Sequence, residues 1–91
     1  MNIKHKAYII NNSAYLYLLD FEDNYDYTFY TDNYLVMDTG RIAKEQYSFD
    51  EALSEVLKKH YLKPENIVAL SAEGTQELIN HVDDYELVNI L

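Results

Sequence analysis

Residues 25–32 alternate without a break: Tyr25, Tyr27 and Phe29 fall on one side, Asp26, Thr28, Tyr30 and Asp32 on the other. A period of two is what a strand with one buried face requires, and no helix can satisfy it. Turn signals recur closely on both sides of this segment. Asn11-Asn12-Ser13 separates Lys6–Ile10 from the Tyr- and Leu-rich Ala14–Phe21, and Glu22-Asp23-Asn24 precedes Tyr25. Asp32-Asn33 follows, then Tyr34–Met37 and the polar Asp38-Thr39-Gly40. Asn and Asp tolerate the left-handed backbone that tight hairpins need. The first forty residues therefore read as a four-stranded antiparallel meander with one wet face.

The pattern then changes period. Ser48-Phe49-Asp50-Glu51 has capping-box spacing, in which the serine hydroxyl accepts from the Glu51 N–H and the carboxylate reaches back. Phe49, Ala52, Leu53, Val56, Leu57, His60 and Tyr61 share one helical stripe, with Asp50 and Glu51 at the start, Lys58 and Lys59 at the end, and Pro64 as a stop. The stripe is expected to cover one sheet face. Ile67–Leu70 reads as a short strand. Ser71–Val82 reads as a short helix through Leu78, Ile79 and Val82, with a hairpin through Ala72-Glu73-Gly74 as the alternative. Asp83-Asp84 reads as a turn and Tyr85–Ile90 as a closing strand. The expectation is one compact α+β domain over residues 1–91: an antiparallel meander packed by one main amphipathic helix, with a C-terminal strand–short helix–strand.

At 91 residues, 48% of them hydrophobic, the chain can bury a small core, so its acidity does not imply disorder. The absence of cysteine removes disulfides, thiolate chemistry and Cys-based zinc sites, and suits a reducing cytosol, that of the host if the chain is phage-encoded. The start Met1-Asn2-Ile3-Lys4-His5-Lys6 is followed by no apolar run of signal-peptide quality, and no stretch approaches a membrane span.

Catalytic patterns are missing, so no enzyme and no cofactor is expected. The serines lack elbow glycines, and Ser13 and Ser48 read as turn and cap. Gly40 and Gly74 are too far apart for a phosphate loop. His5, His60 and His81 have no metal-ligand spacing, and His60 reads as a hydrogen-bonded boundary residue. Glu22/Asp23 and Asp83/Asp84 fit no EF-hand and sit where turns are expected.

Charge placement is the remaining signal. The net charge is −9, and no Lys or Arg lies between Lys6 and Arg41 or after Lys63. Residues 20–38 carry Asp20, Glu22, Asp23, Asp26, Asp32 and Asp38, interleaved with tyrosines; Tyr30, on the Asp26/Asp32 face, is the expected exposed aromatic contact. Alternate strand residues recur every ~6.6–6.8 Å, about twice the axial step of a single nucleic-acid strand. Asp26 and Asp32, with Asp20 and Glu22 on the neighbouring strand, could thus imitate a run of phosphates. Such a surface attracts basic proteins and repels nucleic acid. Lys58, Lys59 and Lys63 complement a helix dipole and make no nucleic-acid site.

The expected partner is a basic protein: a nuclease, a Cas effector or a toxin. In type the chain is similar to the small acidic anti-CRISPR and anti-restriction inhibitors of phages and mobile elements. An alternative is an immunity protein or antitoxin against a basic toxin; Ser48–Leu53, following several strands, resembles the sheet–helix start of HicB-type antitoxins, although the glycines and prolines usual there are missing. A third reading is an accessory or homo-oligomeric structural subunit, such as a homodimer, paired through the tyrosine-rich strands.

Overall fold

The computed structural model describes the backbone of residues 4–90 and the side chains of residues 4–82. Five strands, β1 (His5–Ile10), β2 (Ala14–Phe21), β3 (Asn24–Thr31), β4 (Val36–Ala43) and β5 (Ile67–Ala69), form one antiparallel sheet in the order β4-β3-β2-β1-β5. The helices are α1 (Phe49–Lys59) and α2 (Ala72–Ile90), with a 3₁₀ turn at Pro64–Asn66 before β5. The architecture is α+β, as the change of period implied.

Alternation sorts the strands onto two faces. Tyr8, Ile10, Leu16, Leu18, Tyr25, Tyr27 and Phe29 pack on Phe49, Ala52, Val56 and Leu57 of α1. Leu16, Leu18, Ala52 and Val56 are fully buried there. Ser48 closes the capping box with Glu51, and those hydrogen bonds hold the Glu51 carboxyl below its usual pKa. The other end of α1 differs from expectation. His60 is the C-cap, and Tyr61 leaves the core stripe entirely, 96% exposed with φ 58°. Leu62 turns back instead: its N–H donates to Leu57 O, and its side chain packs against the core.

The second face is not simply wet. Ala7 and Tyr30 pack on Leu78 and Val82 of α2, with Tyr15, Tyr17, Tyr34 and Leu70 around them. Ser71 starts α2 by accepting from the Gly74 N–H, which excludes the hairpin alternative. The backbone then stays helical through Asp83-Asp84 to Ile90, so the expected turn and closing strand are absent. A helix satisfies its own backbone groups, whereas a strand there would need a sheet edge.

β4 is also displaced from the sequence reading. Tyr34 belongs to the preceding turn, and Asp38-Thr39-Gly40 lies inside the strand. Two contacts outweigh the turn propensity of these residues. Gly40 lies flat against the Tyr27 ring; a Cβ at Gly40 would come within 2.5 Å of the Tyr27 hydroxyl. Arg41 stands directly opposite Asp26. A bulge at Phe29/Tyr30 leaves Met37 outside the pairing.

Candidate protein-binding surface

The register decides where each acidic residue goes. Leu19 is opposite Asp26 and Asp20 is opposite Tyr25, so Asp20 points to the α1 face while Asp26 points to the α2 face. The two cannot share a row of phosphate-like charges. Side chains distant in sequence also return to the acidic residues. Asp20 pairs with Lys44. Arg41 Nε lies 3.2 Å from Asp26 Oδ1, a contact of charge rather than alignment, since that covered oxygen receives no hydrogen bond. His60 Nε2 lies 3.1 Å from Asp38 Oδ2, with its ring 4.1 Å from that of Phe29. The gap in positive residues along the chain is therefore not a gap in space.

Glu22, Asp23 and Asp32 remain exposed with no ion-pair partner among the described residues. Glu22 and Asp23 lie in the β2–β3 turn, and Asp32 lies in the β3–β4 turn at the opposite end of β3, roughly 30 Å away at strand rise. Tyr30 is 8% exposed and belongs to the core under α2, so it is not the exposed contact expected of it.

One arrangement was missed by sequence reasoning. The turn Thr31–Leu35 is tied by the Thr31 hydroxyl, which accepts from the N–H groups of Asn33 and Leu35. Tyr34 there has φ 66°. Its ring stacks on His81 of α2 at 4.7 Å and on Tyr15 of β2 at 5.8 Å, with interplanar angles near 11° and 12°. Burial raises the Tyr15 pKa, and the neighbouring Tyr34 and Asp32 raise it further. Tyr15, Tyr34, Leu70, Gly74, Glu77, Leu78 and His81 line a cleft of about 140 Å³ beside the stack. Asp32 thus lies close enough to act on Tyr15, and Glu77 of α2 lines the same cleft. No local pattern links Tyr34 to His81; only the tertiary fold does.

Nearer β4 the same face opens into a shallow trough of about 400 Å³, floored by Tyr17, Thr28, Tyr30 and Thr39, with Leu19 and the Asp26/Arg41 pair. The Tyr17 hydroxyl meets His5 Nδ1 at 2.8 Å. Among the described residues, no group of three His, Asp or Glu side chains could hold a metal ion. Among the described residues, no helix is long and apolar enough to cross a membrane.

The family model "Large polyvalent protein-associated domain 16" matches residues 2–81. The chain belongs to this family. The description of domain 16 ties it to large polyvalent proteins and names no ligand or reaction. Neither the curated proteins nor the solved structures hold a match to this member of the family.

Proposed function

We propose that the chain is an acidic binding module that docks on the basic surface of a nucleic-acid-handling protein, such as a nuclease or a Cas effector. It inhibits that protein by covering the site where DNA or RNA would lie. The family suggests a phage or mobile-element context, in which such an inhibitor works in the host cytosol. The observation that carries the reading is the distribution of charge. The net charge is −9; Arg41 and Lys44 are occupied by Asp26 and Asp20, and Lys4 and Lys6 lie over the Phe49 ring. Where the β3–β4 turn meets α2, Asp32 and Glu77 are free of ion pairs among the described residues. Contact is through this rim and not through a phosphate-like row on the sheet. A basic toxin would be met by the same surface, which keeps the immunity-protein reading within the same physics.

A second reading has its own observation. Val36 and Met37, 56% and 60% exposed, lie on the open edge strand β4, where a homodimer could pair.

Affinity capture from host lysate, followed by competition with DNA or RNA, tests the first reading. The captured protein is expected to be basic, to be released by nucleic acid, and to lose at least tenfold in affinity from about 50 to about 300 mM salt. A partner held equally at both salts, or bound together with its nucleic acid, overturns it. Self-association without any partner favours the β4 edge.

A further inference from the structure

We propose that the cleft between β2, the β3–β4 turn and α2 receives one arginine side chain of a partner protein. The inference rests on the basic-partner reading and names where on this chain that partner is gripped.

Size is the first argument. At about 140 Å³ the cleft is well below the roughly 300–1,000 Å³ of small-molecule pockets, and fits a single side chain. Its walls are the second. Three aromatic rings lie nearly parallel, and Glu77 stands one helical turn from His81 on the same side of α2. A guanidinium stacks flat on an aromatic face while its N–H fork meets a carboxylate in bidentate fashion; an ammonium cannot do both.

The third argument is that, among the described residues, no lysine or arginine lines this cleft, whereas the larger trough on the same face already holds Arg41 beside Asp26. Ser71 Oγ takes the Gly74 N–H at 3.0 Å, and Glu73 and Glu77 offset the positive end of α2. The start of the helix is therefore no competing anion site. Finally, Tyr34 holds a left-handed backbone, φ 66°, which a bulky residue rarely adopts. That conformation places its ring in the stack.

The test is an amide-resolved NMR titration with N-acetyl-arginine amide, with N-acetyl-lysine amide as control. Millimolar binding is expected to shift Gly74, Glu77, Leu78, His81 and Tyr34, with lysine at least threefold weaker. Glu77→Gln and Tyr34→Ala should each reduce arginine affinity at least fivefold. Unchanged signals from the α1 face certify the fold, and Glu77→Gln, on an exposed position, serves if Tyr34→Ala does not fold. Shifts centred on Glu22 and Asp23, equal binding of lysine, indifference to Glu77→Gln, or no binding each overturn the proposal. The two proposals fail separately. A partner captured as expected but bound equally well by Glu77→Gln sinks only the cleft. Arginine binding without any nucleic-acid-handling partner sinks only the inhibitor.

Discussion

The two faces of the sheet are built from the same strands and do different work. Under α1 the inward residues meet a continuous apolar stripe and exclude water: Leu16 and Leu18 have no exposed surface. Under α2 the inward residues include Tyr15, Tyr17 and Tyr30, whose rings pack while the Tyr17 hydroxyl meets His5 Nδ1. Apolar burial is non-directional and scales with area. Hydroxyl contacts are directional and contribute little net stability, though they fix orientation. The first face is therefore expected to hold the fold, and the second to be open to contacts with other molecules. Leu16→Ala against Leu19→Ala tests this most severely. Leu16→Ala should cost about 2–5 kcal/mol in urea unfolding, a large part of the total for a domain of this size. Leu19, half-buried in the trough, should cost under about 1 kcal/mol. Equal losses would mean that the faces are not distinct.

Gly40 sharpens the comparison, because it tests the α1 face from the edge of the sheet. An added methyl would meet Tyr27 Oη, Cζ and Cε2 at 2.5, 2.6 and 2.8 Å. Tyr27 is 4% exposed and packed against Phe29, so its ring has little room to yield. Gly40→Ala is expected to lose roughly 1–3 kcal/mol and to shift Tyr27 signals while leaving Tyr34 and His81 unmoved. A silent substitution would show that β4 is loosely laid on the core.

The face under α1 was legible because local signals agreed with the tertiary answer. Tyr25, Tyr27 and Phe29 alternate, Ser48 and Glu51 form their capping box, and Leu53, Val56 and Leu57 recur at helical spacing. A fourth strand was legible but its bounds were not, since Asp38, Thr39 and Gly40 are turn formers by themselves; only Tyr27 and Asp26, brought opposite by β3, make them part of β4. That Asp20 and Asp26 lie on opposite faces was not legible for a related reason. Which way Asp20 points depends on a pairing register, and a shift of one residue exchanges the faces. Lys44 and His60 then arrive from elsewhere in the chain to meet Asp20 and Asp38. Tyr30 was placed on the correct side but expected to be exposed, because nothing in β3 announces that Leu78 and Val82 will cover it. At the far end, Tyr85–Ile90 is apolar enough for a strand, but the helix begun at Ala72 continues through it.

Tyr61 belongs to neither face and gives the smallest effect, with the opposite sign. The two hydrogen bonds that end α1, Tyr61 N–H to Lys58 O at 3.2 Å and Leu62 N–H to Leu57 O at 2.9 Å, place Tyr61 where such helix ends usually have glycine. Its φ of 58° costs a tyrosine what glycine does not pay, and its ring, 96% exposed, recovers nothing by packing. Tyr61→Gly should therefore raise stability, by somewhat under about 1 kcal/mol once the greater freedom of glycine in the unfolded chain is counted. Tyr61→Ala, which keeps the strain and removes only an exposed ring, should change it little. The pair separates backbone from side chain: if alanine destabilises as well, the ring is packing on something, and the aromatic residues of this chain do not divide by face alone.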